Sequence, residues 1–221
     1  MKTILSTRKL STSQRDLILG RGHSVIDYSA IQITPLDFQV QDQIDKAIFT
    51  SVNAVTIFFD KKVEKVELGE IFCVGDKTEQ KLAKYGQKVT KKANNSTELG
   101  QYLSKNYQNQ EFWYFCSEQR MDHLPDLLKS SKNRLIEVKI YEIDPILQHF
   151  DQIFDAILFF SPSGVNSFFE VNKGVESALI CIGDTTAKAA SKFSEKVWTA
   201  QQATVESVIA KTVKVLNHDK E

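Results

Sequence analysis

The sequence predicts a parallel α/β protein in which one structural unit occurs twice. Short apolar runs, Phe159-Phe160 and Ala178-Leu179-Ile180-Cys181-Ile182, give way to Ser161-Pro162-Ser163-Gly164 and Gly183-Asp184-Thr185-Thr186, and a helical pattern follows each. Continuous apolar runs mark strands that are covered on both faces, as in parallel sheets. The hydroxyl and glycine residues supply tight turns and helix N-caps, so helix N-termini fall at the carboxyl ends of strands. That edge is where open α/β sheets bind ligands, and helix N-termini favour anions there.

The third observation is an internal repeat. Ile48-Phe49-Thr50-Ser51-x-x-x-Val55 matches Leu158-Phe159-Phe160-Ser161-x-x-x-Val165, with positions 51 and 161 lying 110 apart. Phe58-Phe59-Asp60 and Phe168-Phe169-Glu170, Asp16-Leu17 and Asp126-Leu127, and Pro35 and Pro145 repeat at the same offset. Cys73-Val74-Gly75-Asp76-x-Thr78 matches Cys181-Ile182-Gly183-Asp184-x-Thr186 at 108. An ordered series of this kind indicates duplication. Two units make two lobes, and a ligand is expected in the cleft between them.

Taken in order, Ile4-Leu5-Ser6-Thr7 is a short strand, followed by a helix over about Ser13 to Leu19 that Gly20 and Gly22 stop. Val25 to Ile33 is a β-prone stretch ended by Pro35. A helix around Gln43 precedes the strand Ala47 to Thr50, and Ser51-Val52-Asn53 turns that strand into a helix from Ala54 to Phe59. Ile71 to Val74 is a strand and Glu79 to Tyr85 a helix, with Asp76 and Glu79 spaced as a capping box and Gly86 as the stop. Val89 to Ala93 forms a short strand, and Asn95-Ser96-Thr97-Glu98 caps a helix through Leu103. After a polar link at Asn106 to Gln110, the strand Tyr114 to Ser117, the helix Leu124 to Leu128 and the long strand Ile136 to Ile143 follow. Val197-Trp198-Thr199 and a helix from about Val205 to Val215 close the chain, leaving a polar, frayed tail from Asn217 to Glu221. The stretches before Pro35 and Pro145 are equivalent and could pair as a two-stranded connector. The repeat leaves two arrangements open: sequential lobes, or the first strand and helix docked onto the C-terminal half.

Composition narrows the function. The 221 residues include 28 basic and 28 acidic side chains, and a net charge of zero argues against nucleic-acid or anionic-membrane binding. Cys73, Cys116 and Cys181 sit in apolar runs with no CxxC pair, so they read as core residues in a reducing cytoplasm. Thr7-Arg8-Lys9 breaks the apolar opening, leaving no signal-peptide core, and no run approaches about 18 apolar residues. His23, His123, His149 and His218 lack ligand spacing, so no metal is expected. The chain has no Gly-x-Ser-x-Gly, GxGxxG or P-loop pattern. Lys61-Lys62 and Lys91-Lys92 read as solvated surface.

The repeated turns are paired candidate ligand grips: Ser51 with Ser161, and Gly75 to Thr78 with Gly183 to Thr186. Helix capping explains the hydroxyls equally well, and turn geometry explains Gly75, Gly164 and Gly183. The two roles coexist, because a ligand can use the N–H groups a cap leaves free.

These residues resemble the uroporphyrinogen-III synthase family. The resemblance rests on Ile48-Phe49-Thr50-Ser51-x-Asn53-Ala54-Val55, Val74-Gly75-x-x-Thr78, Val138-x-Ile140-Tyr141-Glu142, Phe160-Ser161-Pro162-Ser163-Gly164-Val165 and Ile182-Gly183-x-Thr185-Thr186-Ala187, with Thr7-Arg8 fitting the family's opening. It implies two Rossmann-like or flavodoxin-like lobes with parallel sheets, joined by a two-stranded β linker. Residues 1–29 with 146–221 would form one lobe, 39–135 the other, and 30–38 with 136–145 the linker. It further implies cofactor-free cyclisation of hydroxymethylbilane, a linear tetrapyrrole, to uroporphyrinogen III and water, with inversion of ring D.

On that resemblance Tyr141 is the candidate catalytic acid, with a purely packing role as its rival. Arg8, Ser51, Asn53, Gly75, Thr78, Ser161, Ser163, Gly164, Gly183, Thr185 and Thr186 are the candidate substrate-binding residues. Val52 departs from the more polar or Pro-containing turn expected there, and few arginines lie near the motifs. A cytoplasmic monomeric lyase acting on one small molecule is the resulting expectation. Alternatives are a non-catalytic bilobal sensor for a small anionic ligand, signalling by hinge closure, and a different cofactor-free lyase or isomerase.

Overall fold

The chain opens with β1 (Thr3–Ser6), α1 (Thr12–Leu19) and β2 (Ser24–Asp27), followed by β3 (Ile31–Pro35). It continues through β4 (Gln43–Phe49), α2 (Val52–Asp60), β5 (Glu67–Val74), α3 (Asp76–Lys84), β6 (Lys91–Ala93), α4 (Ser96–Asn106), β7 (Glu111–Ser117) and α5 (His123–Ser130). The long β8 (Arg134–Pro145) then leads to β9 (Ala156–Phe159), α6 (Pro162–Val171), β10 (Ala178–Cys181), α7 (Asp184–Ala190), β11 (Val197–Thr199) and α8 (Val205–His218). The structure, a computed structural model, describes residues 1–61, 66–119 and 123–218. Lys62, the side chains of His123 and His218, and residues 219–221 lie outside the described residues.

Two compact units result: Met1–Gln32 with Asp144–Glu221, and Ile33–Ile143. The first holds a sheet of order β11-β10-β9-β1-β2, the second a sheet of order β3-β8-β7-β4-β5-β6. Apart from the β3 edge, the pairings of both sheets are parallel. Without β3 the two orders are identical, with β9, β10, β11, β1 and β2 standing where β4, β5, β6, β7 and β8 stand in the other. The duplication is therefore structural, and the first unit is a permuted copy. Of the two arrangements the repeat allowed, the docked one occurs: β1 pairs with β9, Ile4 opposite Ala156 and Ser6 opposite Leu158. The chain passes between units on β3 and β8, which are neighbours in the six-stranded sheet.

Strand alternation builds a core on each sheet face. Along β7, Trp113 and Phe115 pack with Ala54, Val55, Phe58 and Leu82 of α2 and α3. Phe112, Tyr114 and Cys116 turn the other way, against Leu99 and Leu103 of α4 and Leu124 and Leu128 of α5. β9 divides likewise, Ala156 and Leu158 facing α8 and Ile157 and Phe159 facing α6. Both faces are covered, which is why these strands read as unbroken apolar runs. All three cysteines are buried and outside any disulfide, and burial pushes the thiols of Cys73 and Cys181 up to about 11 and about 12. Among the described residues no helix is long and apolar enough to cross a membrane, and no group of three or more His, Cys, Asp or Glu could hold a metal.

Several local expectations are corrected. The helix expected around Gln43 is the first half of β4, where Gln43 pairs with Glu67 and Ile44 with Leu68; buried Ile44 between exposed Gln43 and Asp45 is a period-two signal. The single stretch Val25 to Ile33 is two strands in different sheets, separated at Tyr28 to Ala30. Asp76 is not a cap. Gly75 is the N-cap of α3, with φ of 81°, while Asp76 and Glu79 are ion-paired to Lys92 at 2.6 and 3.1 Å. Lys92 is thus engaged, and Lys91 lies 5.0 Å from the centre of the Tyr102 ring, so neither is merely solvated. Lys61 donates to the Leu36 carbonyl and pairs with Asp37.

Candidate functional site

In each unit the strand order reverses once, between β4 and β7 and between β9 and β1. At such a switch point the connections leave in opposite directions and open a crevice at the carboxyl ends of the strands. The residues at those ends are Ser51 and Ser117 in one unit, and Ser161 and Thr7 in the other.

In the second unit three hydroxyls meet there. Ser51 is the N-cap of α2, in extended conformation, and its Oγ accepts the Ala54 N–H at 3.0 Å. The same oxygen lies 3.0 Å from the Tyr141 phenol, which also hydrogen-bonds Ser117. A β-bulge makes this possible. Cys116 pairs with Lys139, but Ser117 pairs with Tyr141, skipping Ile140. Adjacent strand residues normally point to opposite faces, yet Ile140 and Tyr141 pack in one cluster with Phe115. The bulge turns Tyr141 onto the face that carries Ser117 and the start of α2.

Tyr141 is 5% exposed. Burial raises its pKa, against the opposing effect of the hydrogen bonds from Ser51 and Ser117, so the phenol keeps its proton at neutral pH. Because Ser51 Oγ already accepts from the backbone, its own proton is free to go to the Tyr141 oxygen. With Ser51 as donor, the phenolic O–H can itself donate, to Ser117 or to a ligand. Nearby, the Thr50 and Tyr114 hydroxyls lie 3.1 Å apart.

The other predicted residues of this unit divide by exposure. Asn53 is exposed on the first turn of α2, whose first turn contains no acidic residue. Gly75 ends β5, where its positive φ suits glycine. Thr78 is 4% exposed, so its hydroxyl faces inward. With Asp76 and Glu79 in its first turn, the α3 end is a poorer anion site than the α2 end.

In the first unit, Ser161 caps α6 in extended conformation, accepting the Gly164 N–H at 3.0 Å, with Pro162 following and no acid in the first turn. Gly164 is tightly set: a Cβ there would lie 3.3 Å from Ser161 Oγ and 3.7 Å from Thr7 Oγ1. Ser163 is half-buried in the same turn. Thr7 anchors the end of β1 by donating its N–H and its hydroxyl to the Leu158 carbonyl at 3.1 and 2.7 Å. Arg8 is exposed, its guanidinium 5.4 Å from the centre of the Phe160 ring, which packs with the α8 side of the sheet. Ser161, Ser163 and Gly164 thus share the first turn of α6, with Thr7 against it, and Arg8 follows Thr7 in the chain. Gly183 caps the seven-residue α7 one strand away with no side-chain cap bond; Thr185 is exposed there and Thr186 is 2% exposed.

Sequence reasoning missed two residues at these switch points. Ser117 appeared only as the end of a strand, because a bulge is visible only in the pairing. Asp27 was unremarked: its side chain is fully buried and binds Lys9 and Arg15, which lie 18 and 12 positions away.

A sequence model of the family described as Uroporphyrinogen-III synthase HemD matches residues 14–210. The crystal structure of uroporphyrinogen-III synthetase from Helicobacter pylori aligns with a TM-score of 0.72 at 14% identity, over 97% of this chain and 100% of that one. A selenomethionine mutant of uroporphyrinogen III synthase from the extremely thermophilic bacterium Thermus thermophilus gives 0.71 at 13% identity, over 99% and 100%. The wild-type protein in a second crystal form gives 0.59 at 14%, over the full length of both chains. No match occurs among curated protein sequences. At such identities the structural likeness speaks for the fold.

Proposed function

The chain belongs to the uroporphyrinogen-III synthase family, the synthase of heme biosynthesis, and on that premise we propose that it cyclises hydroxymethylbilane to uroporphyrinogen III with inversion of ring D. The reaction eliminates water, a lyase reaction, and we assign it to a cytoplasmic monomer that uses no cofactor.

The observation that carries the assignment of roles is the Tyr141 phenol, protonated and 3.0 Å from Ser51 Oγ at the switch point of the six-stranded sheet. Tyr141 donates its proton to the departing hydroxyl, the C–O bond breaks, and water leaves. The resulting cation is attacked by the substituted carbon of ring D, giving a spiro intermediate that rearranges. The joined pyrrole carbon then loses its proton, which restores the phenol. Every atom is accounted for as substrate minus water.

The substrate's acetate and propionate groups need anion grips. The α2 and α6 N-termini, with Ser51, Asn53, Ser161, Ser163 and Gly164, supply free N–H groups unopposed by first-turn acids, and Arg8 adds a cation. Gly75, Thr78, Gly183, Thr185 and Thr186 contribute through backbone and, at Thr185, an exposed hydroxyl. Holding a flexible chain with its ends together is largely entropic catalysis.

The test is to feed freshly made hydroxymethylbilane to the protein, oxidise the products and separate the porphyrins by chromatography. Isomer III is expected in excess. Isomer I alone, the spontaneous product, would overturn the reading, and tight binding without turnover would favour the sensor.

A further inference from the structure

The two switch points are equivalent by strand order, so the residues filling equivalent places can be compared. In the second unit the last residue of β7, Ser117, pairs with Tyr141 on β8. In the first unit the last residue of β1, Ser6, pairs with Asp27 at the end of β2. A buried phenol stands on the strand beside one switch point and a buried carboxylate on the strand beside the other.

A fully buried carboxylate is costly unless it is paired and hydrogen-bonded. Asp27 Oδ2 accepts the Leu10 N–H at 3.1 Å and lies 2.6 Å from an Arg15 guanidinium nitrogen; Oδ1 lies 3.3 Å from Lys9 Nζ. Lys9 Nζ also donates to the Asp27 carbonyl at 2.8 Å. Two of these partners, Lys9 and the Leu10 amide, directly follow Arg8. On the other side, Ser6 Oγ donates to the Arg8 carbonyl at 2.7 Å. The short segment between β1 and α1 is therefore tied down around a single residue whose own side chain is left exposed over the Phe160 ring.

We propose that Asp27 is a positioning residue for substrate binding: it fixes the 7–10 segment so that Arg8 meets a substrate carboxylate at the carboxyl edge of the five-stranded sheet. This rests on the assignment of Arg8 as a carboxylate grip. Asp27 itself, its side chain fully buried, touches no substrate, and it engages Lys9 and Arg15 in ion pairs. The carboxylate acts through loop geometry, so its loss is felt in binding and not in the chemical step.

The experiment measures kcat and KM for isomer III formation by the full chain and by Asp27→Asn, Arg8→Gln and the double variant, with melting temperatures recorded alongside. A misplaced charge-assisted hydrogen bond costs about tenfold in affinity, so Asp27→Asn should raise KM about tenfold with kcat within about twofold. The double variant should match Arg8→Gln, since both act through one guanidinium. If Arg8→Gln raises KM and Asp27→Asn does not, the positioning role is wrong while the grip stands. If Arg8→Gln leaves KM unchanged, the grip itself is wrong and the proposal falls with it. Should Asp27→Asn fail to fold, Ser6→Ala decides: it removes the two hydrogen bonds that tether the Arg8 backbone, and an unchanged KM overturns the proposal.

Discussion

The phenolic oxygen of Tyr141 and the hydroxyl oxygen of Ser51 lie 3.0 Å apart although 90 residues separate them in the chain. One belongs to the strand that carries the chain between units, the other to the cap of the first helix of the second unit. Their meeting depends on the bulge opposite Ser117, which brings a buried phenol to the switch point of the second unit.

Tyr141→Phe removes that proton and little else. The ring stays packed with Phe115 and Ile140, and Ser51 keeps its bond to the Ala54 amide. General acids contribute about 10²- to 10⁴-fold, so kcat should fall within that range. The lost hydrogen bond should cost about 1 kcal/mol of stability. The pH profile is a second check. Burial holds the phenol's pKa above its ordinary value, so the proton is present at neutral pH and is lost only above about 10. The rate should therefore be flat from about pH 7 to 9 on account of this group. A rate that climbs over that range would mean the phenolate is the active form and would reverse the assignment.

Ser51 and Ser161 form a matched pair for separating capping from chemistry. Each accepts a backbone N–H at 3.0 Å at the start of a helix without first-turn acids, but only Ser51 touches a phenol. Replacing either by alanine should cost about 1 kcal/mol, or about 2–4 °C in melting temperature for a chain of this size. The kinetics should differ: Ser51→Ala lowers kcat because Tyr141 loses a hydrogen-bond partner that positions its phenol, whereas Ser161→Ala acts mainly on KM. Equal kcat losses in the two variants, measured by isomer III formation, would reduce Ser51 to a cap.

How much of this was legible in the sequence follows from which interactions are local. Caps are local, so Asn95, Ser51 and Ser161 were readable from the residues beside them, and each accepts the amide three positions on. Buried parallel strands are nearly as local, since both faces of β9 and β10 are apolar. The docked order was implied by the family resemblance and not by the repeat, because a repeat shows which segments are alike and not which strands pair. Gln43 was misread because its strand begins with polar, edge-exposed residues whose alternation spans only three positions. At the site, Ser117 and Asp27 escaped notice for the same reason: the bulge needs β8 beside β7, and the Asp27 charge is satisfied from the far end of a turn and a helix. The Asp76–Glu79 spacing misled because a lysine on β6 competes for both carboxylates.

The glycines at the strand ends yield a sharper distinction than turn geometry suggested. Gly75 has φ of 81°, a left-handed value that any side chain would strain. Gly183, at the equivalent place in the other unit, has φ of −172° and ψ of 175°, extended backbone open to any residue. A Cβ built on Gly183 would meet nothing within 4 Å. Nothing in the fold itself, then, requires glycine at 183, while the proposed approach of a substrate carboxylate to the backbone does. Gly183→Ala should fold with a melting temperature within about 2 °C of the parent, the scale of a change below about 0.5 kcal/mol. It should raise KM for hydroxymethylbilane several-fold, because the new methyl group keeps the carboxylate from the start of α7. Gly75→Ala, in contrast, should lower the melting temperature, since the left-handed conformation costs alanine about 1–2 kcal/mol. Both are read by thermal unfolding followed by circular dichroism and by isomer III kinetics on the same preparations. An unchanged KM for Gly183→Ala would place the substrate's carboxylates elsewhere, on the α2 and α6 ends that Ser51 and Ser161 cap.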